Sequence, residues 1–257
     1  MASVEHATVE PFSLDRETLL SLGVAFSLMP TAQFLASRYL SKSIPRTYYF
    51  LFIWHAYDAL THFVLEGSYL YHCFFSYKVL AAPSASTSHP ASWGADLPPV
   101  LWNNHGRKYG AWYGSGPMAR LWQEYAKADT RWGGADPTVI SLELLTVFLG
   151  GPIATYICYL LSKFSKSPAG PYKARLEAKM WVVAIMLATG ELYGGWMTFA
   201  PEWISGCTAL RTQDPVFLWL YLFFFNTLWV FIPIWILWKA YGELARLVSG
   251  DGAKKTT

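Results

Sequence analysis

Apolar residues gather in five long stretches along the chain, separated by polar segments. A helix that crosses a bilayer needs about 20 mostly apolar residues. Pro30 and Pro233 lie inside two stretches and are expected to kink those helices without ending them. The pattern predicts an all-α membrane protein, one domain over residues 1–257 built as a five-transmembrane-helix bundle, with spans Thr18–Ser37, Tyr48–Phe75, Pro137–Leu161, Met180–Phe199 and Val216–Trp238.

One connection, residues 79–136, is much longer than the others. Its first part, 81–99, is rich in Pro, Ser and Ala and is predicted to be irregular. Its second part, Met118–Trp132, predicts an amphipathic helix on the bilayer surface, with Leu121, Trp122 and Tyr125 on the apolar face that begins at Met118. We expect this helix to close one end of the bundle, with Lys127 and Arg131 reaching lipid headgroups.

Composition agrees with a membrane protein. Hydrophobic residues make up 53% of the 257 positions and charged residues 14%, whereas a soluble domain has roughly a quarter charged. A net charge of +3 gives no indication of nucleic-acid binding. The first ten residues are polar and acidic, so no signal peptide is predicted.

Basic residues indicate the orientation. With five spans, the loops Arg38–Arg46 and Lys163–Lys179 and the C-terminal tail share one side, and together they hold 12 of the 20 Lys and Arg. The short segments of the other side hold only Arg16 and Arg211. The positive-inside rule therefore places the C-terminus in the cytosol and the N-terminus in the lumen. Lys254–Lys255 resembles a dilysine retrieval signal, which favours the endoplasmic reticulum membrane.

The second predicted span carries ionisable residues at His55, Asp58, His62 and Glu66, and Tyr69 continues the series. Spacings of three and four residues place them on one helix face. Ionisable groups inside a bilayer are costly unless they pair or face a polar cavity, and they usually mark a functional site. A structural polar seam between helices is the alternative interpretation.

The other spans supply polar partners. They are Glu143 with Thr146, Glu191 with Tyr193, and Asn226 with Trp229. Gly150–Gly151 follow in the third span. Gly194–Gly195 in the fourth would allow another backbone to approach closely. Brought together, these residues predict an intramembrane ligand cavity lined by acids and an amide and walled by aromatic rings.

Buried carboxylates and histidines suit proton transfer near neutral pH, and an indole face stabilises a cation where water is excluded. The set therefore indicates proton-shift chemistry on a lipid-soluble alkene through a carbocation. A Ser-His-Asp triad finds no serine on the ionisable face. A metal site at His62 and Glu66 lacks a third evident ligand.

Several stretches resemble the emopamil-binding protein family, the sterol Δ8-to-Δ7 isomerases of the endoplasmic reticulum. They are THFVLEG (61–67), LWQEYAKADTRW (121–132), SLELLTVFLGGP (141–152), GELYGG (190–195) and FFFNTLWVFIP (223–233). The resemblance implies a five-span bundle with a sterol-sized cavity open toward the membrane. It also implies protonation of the sterol double bond at C9, a cation at C8 and loss of a proton from C7, with no redox cofactor or metal, and binding of cationic amphiphilic amines that mimic the cation.

The residues that we assign to the reaction follow from this resemblance and from the polar pattern. The predicted catalytic residues are His62, Glu66, Glu143, Asn226 and Trp229, and the predicted substrate-binding residues are Thr146, Asp58, Glu191, Tyr193, Trp122 and Tyr125. His62, paired with Glu66, is expected to donate the proton and Glu143 to remove the second one. Trp229 should face the cation, and Asn226 should hydrogen-bond within the acid network. The rival assignment exchanges donor and base.

Two features depart from the animal pattern. The loop at about residues 83–117 is longer and resembles filamentous-fungal members, and Glu191 and Gly195 stand where animal members have Gln and Asp. Two alternatives therefore stay open: a related isomerase or cyclase acting on a non-sterol terpenoid, and a non-catalytic sterol- or amine-binding membrane protein. The sequence leaves open whether the chain forms a homodimer.

Overall fold

The computed structural model of the chain describes residues 12–80, 101–104 and 106–249. Three predictions lie outside these residues: the polar start of the chain, the irregular stretch 81–99 and the dilysine pair at 254–255. The α-helices of the described part are α1 Arg16–Tyr39, α2 Arg46–Leu60, α3 Gly67–Phe75, α4 Pro117–Tyr125, α5 Pro137–Leu145, α6 Gly151–Lys166, α7 Pro171–Ser205 and α8 Phe225–Val248.

Three π-helical segments join these helices into longer rods. Thr61–Glu66 links α2 to α3, Thr146–Gly150 links α5 to α6, and Phe217–Phe224 runs into α8. A π-helical turn contains an extra residue and is often found at functional sites. None of the three was predicted from the sequence, and each contributes to the site described below.

Four rods are long and apolar enough to cross a membrane by length and composition: Arg16–Tyr39, Pro137–Lys166, Pro171–Ser205 and Phe217–Val248. Three of them contain a predicted span, and the fourth begins one residue after the start of the predicted span Val216–Trp238. The second predicted span corresponds to the rod Arg46–Phe75, which is roughly 45 Å long at about 1.5 Å per residue. This rod carries the ionisable face and is not among the four.

Helix α7 is longer than the predicted span Met180–Phe199. It begins at Pro171, a residue that suits the first turn of a helix, directly after Gly170. Its polar first turns have partners at the bundle end: Glu177 accepts a hydrogen bond from the Tyr48 hydroxyl at 2.5 Å and from the Arg246 guanidinium at 2.5 Å. These bonds tie α2, α7 and α8 together, which explains why a charged segment remains helical.

The long rods pack side by side, α2 against α1 and α6, and α7 against α6 and α8. Alanines with no exposed surface lie at these contacts, among them Ala32, Ala36, Ala154 and Ala184. Small residues let helix backbones approach closely in membrane bundles, where dispersion and hydrogen bonds provide the attraction. The bundle core therefore consists of small side chains interleaved with large aromatic ones.

The long connection covers the end of the bundle where α1 begins. It contains a short antiparallel hairpin, β1 Tyr77–Val79 with β2 Arg107–Tyr109, and then α4. Arg120 of α4 donates to Glu17 of α1 at 2.8 Å. The backbone amide of Arg211, in the connection after α7, donates to the carbonyl of Ala128 at 2.8 Å. The predicted amphipathic helix is thus present as Pro117–Tyr125, followed by a separate 3-10 turn.

The prediction that Arg131 reaches lipid headgroups is wrong. Its side chain is 8% exposed, donates twice to the Asp129 carboxylate, at 2.9 and 2.6 Å, and donates to the carbonyl of Thr198 at 2.8 Å. Burial alone would lower the pKa of the Arg131 guanidinium, but the bonds and charge of Asp129 outweigh burial and raise it. We call residues 117–132, which include α4 and the 3-10 turn, the covering segment. Arg131 therefore fastens the covering segment to α7.

Candidate active site

A cavity of about 1040 Å³ lies among the long rods, beneath α4. Its size reaches the upper end of the range of about 300–1,000 Å³ for small-molecule sites. Trp122, Tyr125 and Trp132 of the covering segment form one wall. The rings of Trp122 and Trp132 are stacked, with centroids 4.9 Å apart, and the Trp122 indole donates to Ser68 at 2.8 Å. Aromatic rings fixed in this way close the cavity on that side.

Ten of the eleven site residues selected from the sequence line this cavity: His62, Glu66, Glu143, Thr146, Glu191, Tyr193, Asn226, Trp229, Trp122 and Tyr125. Asp58 is not among the lining residues and lies behind His62 and Trp229, in contact with both. His62 and Trp229 line the cavity. Asp58 therefore contacts the cavity wall from behind and does not lie at its surface.

The ionisable face of the second rod points into the bundle, as predicted. His55 and Asp58 have no exposed surface, and His62 is 2% exposed. Within the described part of the chain, neither ring nitrogen of His55 has a hydrogen-bond partner. This residue therefore belongs to the protein interior next to Asp58 and not to the cavity wall.

Both ring nitrogens of His62 are close to carboxyl oxygens. Nδ1 lies 2.5 Å from Oε2 of Glu66, and Nε2 lies 3.1 Å from Oδ1 of Asp58. A neutral imidazole has one N–H, whereas an imidazolium donates from both nitrogens. The geometry fits an imidazolium between two carboxylates, or a neutral ring that accepts from one protonated carboxyl. In either form a transferable proton is held at the cavity wall.

Thr146 connects the carboxyl groups of two different rods. Its hydroxyl lies 2.6 Å from Oε2 of Glu66 and 3.0 Å from Oε2 of Glu143. Because both oxygens contact the same hydroxyl, the two carboxyl groups are close neighbours. Like charges this close and this buried do not both ionise readily, so such a pair tends to share a proton. His62, Glu66, Thr146 and Glu143 therefore form one hydrogen-bonded acid network along the cavity.

An aromatic wall stands beside this network. The Trp229 indole donates to Oδ1 of Asp58 at 2.8 Å, which fixes the ring, and its centroid lies 5.4 Å from Trp54 and 5.7 Å from Tyr57. Tyr57 also lines the cavity and was not selected from the sequence. A fixed, electron-rich ring at a dry cavity attracts a cation more strongly than an exposed one.

The prediction that Asn226 hydrogen-bonds within the acid network is wrong. Its amide nitrogen donates to the Tyr125 hydroxyl at 3.1 Å and to the carbonyls of Tyr221 and Leu222, both at 2.9 Å. The π-helical segment leaves these two carbonyls near the amide. Burial raises the pKa of Tyr125, so its phenol stays neutral. Asn226 thus joins the covering segment to the last rod at the edge of the cavity.

The two glycine pairs differ from each other. A methyl group built on Gly150 would lie 3.1 Å from Nε2 of His62, and one on Gly151 would lie 2.8 Å from the Phe63 ring. This close approach was not predicted. The close approach predicted at Gly194–Gly195 is wrong, because a methyl group built on Gly194 would meet nothing within 4 Å and one built on Gly195 would meet only a Val230 methyl at 3.9 Å.

Part of the cavity wall lies on the outer surface of the bundle. Leu145 and Leu149 of the third rod and Tyr193 and Trp196 of α7 line the cavity, and each is more than half exposed. These side chains are apolar or aromatic and lie on rods that can cross a membrane. The cavity is therefore bordered by surfaces that lipid chains would contact.

Glu66, paired with His62, lies on one side of Thr146, and Glu143 lies on the other. This arrangement can give a proton to a bound molecule and take one from it. It can also hold a cation against Trp229. Among the described residues, no three His, Cys, Asp or Glu side chains are placed to hold a metal ion. The fold and the site together define a helical membrane protein with an acid-lined, aromatic-walled cavity for an apolar molecule.

Comparison with known proteins supports the same family. The family model described as EXPERA (EXPanded EBP superfamily) matches residues 117–240, just under half of the chain and a range that includes Glu143, Thr146, Asn226 and Trp229. This match and the relatives described next agree with the resemblance found in the sequence.

Several curated relatives carry functional names. The 3-beta-hydroxysteroid-Delta(8),Delta(7)-isomerase of Cavia porcellus is 30% identical over 118 residues, an alignment that spans 45% of each chain and thus less than half of that protein. The probable isomerase of the same name from Oryza sativa subsp. japonica is 22% identical over 95% of this chain and 90% of its own length. Isomeliandiol synthase MOI2 of Melia azedarach is 25% identical over 51% of this chain and 56% of its own.

Proposed function

We propose that this protein is a sterol Δ8-to-Δ7 isomerase, an intramolecular oxidoreductase that moves a ring double bond. The observation that carries the proposal is the acid network of His62, Glu66, Thr146 and Glu143 at the wall of an apolar cavity, beside the fixed indole of Trp229. Relatives named as isomerases of this type support the substrate class. The bilayer supplies the substrate, because a sterol resides there.

The reaction adds one proton to the substrate and removes another, so the product is an isomer. The proton held between His62 and Glu66 is given to C9, and the electron pair of the double bond forms the new C–H bond. The cation at C8 then faces Trp229. Glu143 takes a proton from C7, and the C–H electrons form the C7–C8 double bond. Thr146 lies between the two carboxyls and returns the proton to Glu66 through its hydroxyl.

The test is incubation of the purified protein with a Δ8-sterol in deuterated water, followed by mass spectrometry. The expected product is a Δ7-sterol that contains one deuterium. A sterol that binds and is recovered unlabelled and unchanged would contradict the proposal and support a binding protein. Cationic amphiphilic amines should compete with the sterol, because an ammonium placed at Trp229 resembles the cation.

A non-sterol triterpenoid is the second candidate substrate. Relatives named isomeliandiol synthase and protoglabretal synthase favour this alternative, and the cavity of about 1040 Å³ has room for a skeleton larger than a sterol. The same incubation, run with triterpenoids in parallel, separates the two. Turnover of a triterpenoid without turnover of any Δ8-sterol would replace the sterol proposal.

Gly150→Ala should lower turnover about tenfold, measured as kcat/KM. The added methyl would lie 3.1 Å from Nε2 of His62, and the ring is held at both nitrogens, so it must shift by a few tenths of an ångström. Shifts of up to about 1 Å at a reacting group can cost about a hundredfold in rate. Gly23→Ala is the matched control, since Gly23 lies on the exposed face of α1, does not line the cavity, and a methyl group built there would meet nothing within 4 Å. Equal losses in both variants would contradict a steric effect on His62.

For location, we propose five crossings in the endoplasmic reticulum membrane, with a lumenal N-terminus and a cytosolic C-terminus. Five rods alternate in direction. At the covered end, Arg211 of the connection after α7 bonds to Ala128, and Arg120 of α4 bonds to Glu17 at the start of α1. At the opposite end, the backbone amide of Ser41 donates to the Ser165 hydroxyl of α6. Because α1 and α5 both start at the covered end, the rod Arg46–Phe75 must run the full distance between the two ends. The basic loops lie at the end without the covering segment, which the positive-inside rule places in the cytosol.

The topology can be measured with protease sites in sealed microsomes. A site inserted between Lys42 and Ser43 should be cut by protease added outside, and one inserted at Ser115, beside the covering segment, should be cut only after detergent opens the vesicles. The opposite pattern would mean an inverted orientation. Cleavage of both sites from outside would mean that the rod Arg46–Phe75 does not cross the membrane.

A further inference from the structure

Asp58 contacts two of the proposed catalytic residues through a single oxygen. Its Oδ1 accepts a hydrogen bond from the Trp229 indole at 2.8 Å and lies 3.1 Å from Nε2 of His62. The residue has no exposed surface and does not line the cavity. One buried oxygen therefore sets the position of both the proposed acid and the ring that faces the cation.

The other oxygen of Asp58 has no hydrogen-bond partner among the described residues. Among the described residues, Oδ2 of Asp58 and both carboxyl oxygens of Glu191 are buried without a hydrogen-bond partner of good geometry. The two carboxyl groups are nevertheless close enough to interact directly. Glu191 belongs to α7, and the polar stripe that includes Asp58 belongs to the second rod, so this contact joins two helices across the cavity edge.

Two ionised carboxylates in such a position would repel each other and leave three oxygens unpaired in a low-dielectric interior. One shared proton removes the repulsion and pairs two of the three oxygens, because a protonated carboxyl carries no charge and donates a hydrogen bond. The nearby ring of His55 also lacks a partner for either nitrogen, and a neutral imidazole there adds no charge. The single charge of Asp58 is then left to match His62.

We propose that Asp58 is a positioning residue that holds His62 and Trp229 in fixed relation, and that Glu191 is a protonated carboxylic acid that donates to Asp58. The acid network then has two carboxyl pairs, Asp58 with Glu191 and Glu66 with Glu143, joined by His62. The kinetic consequence rests on the proposed isomerase function, whereas the protonation of Glu191 does not.

Infrared spectroscopy of the purified protein in lipid nanodiscs tests the protonation directly. Glu191→Gln should remove absorption in the carbonyl region of protonated carboxylic acids and leave the carboxylate bands unchanged. Glu177→Gln is the matched control on the same helix, since Glu177 is a buried carboxylate paired with Arg246, and it should remove carboxylate absorption instead. Loss of carboxylate absorption in Glu191→Gln, or an unchanged spectrum, would overturn the proposal.

Kinetics tests the positioning role. Asp58→Asn preserves the shape and one acceptor but removes the charge that orients His62, so kcat should fall about a hundredfold while KM changes little. Glu191→Leu, which leaves Oδ2 of Asp58 without a donor, should lower kcat about tenfold, and the amide of Glu191→Gln should restore most of that loss. An Asp58→Asn enzyme that changes KM alone, or a Gln variant no better than Leu, would overturn the role.

The outcomes also separate this inference from the proposed function. A wild-type protein that turns over no sterol or triterpenoid, but loses carboxylic-acid absorption in Glu191→Gln, would remove the isomerase function and keep the protonated pair. An active wild type whose spectrum is unchanged by Glu191→Gln would keep the isomerase function and remove the protonated pair.

Discussion

Glu143→Gln is expected to reduce isomerisation by about a thousandfold or more. The amide keeps the size of the side chain and a contact with Thr146, 3.0 Å away in the native protein, but it cannot take a proton from the substrate. Proton transfer by a positioned side chain contributes about 10²–10⁴-fold, so the loss should be close to the whole of that contribution. Initial rates in nanodiscs, with product measured by mass spectrometry, check it.

Folding and ligand binding are measured on the same preparation. Sterol binding should change little in Glu143→Gln, whereas binding of a cationic amine should weaken, because a nearby negative charge has been removed. Glu17→Gln is the control, since Glu17 lies on the surface of α1 and pairs with Arg120. Near-normal turnover in Glu143→Gln would exclude this residue as the base and move the role to Glu66 or Glu191.

Trp229→Leu should lower kcat about a hundredfold, and Trp229→Phe about tenfold. Phenylalanine loses the indole N–H that donates to Asp58 at 2.8 Å, and a hydrogen bond to a charged group is worth about 1.5–3 kcal/mol. It keeps an aromatic face for the cation, which leucine does not, and that attraction is worth up to about 2 kcal/mol at a dry site. Steady-state rates of the three proteins give the comparison.

Trp238→Leu serves as the control for this series, because Trp238 lies on the outer surface of α8, is 67% exposed and does not line the cavity. It should leave kcat within about twofold, as surface substitutions usually do. If kcat falls by the same factor in the Phe and Leu variants of Trp229, the aromatic face does not stabilise the cation, and only the hydrogen bond to Asp58 matters.

The periodic features of the site were predictable from the sequence. His55, Asp58, His62 and Glu66 recur at helical spacing, so their common inward face follows from the geometry of a helix and from the cost of placing ionisable groups in lipid. The covering helix was predictable for a related reason, because its aromatic residues repeat on one face. These signals are local and survive without knowledge of the neighbours.

Features that depend on neighbours were not predictable. Arg131 was expected at the headgroups because it is charged, but Asp129 and the Thr198 carbonyl offer three bonds inside the protein. Asn226 was expected among the acids, yet carbonyls near the end of a π-helical segment lie closer. The early start of α7 was missed because its first turns are polar and their partners come from two other helices.

For the proposed function, the exposed part of the cavity wall also determines how the protein meets its substrate. Trp122, Tyr125 and Trp132 close the cavity at the covered end, while Leu145, Leu149, Tyr193 and Trp196 border it along the outer surface. A substrate that arrives along that surface is dissolved in lipid, and its effective concentration is its mole fraction in the bilayer. The half-saturating amount should therefore stay constant as a mole fraction when protein, sterol and lipid are diluted together in buffer, and it should rise in molar units when lipid alone is added.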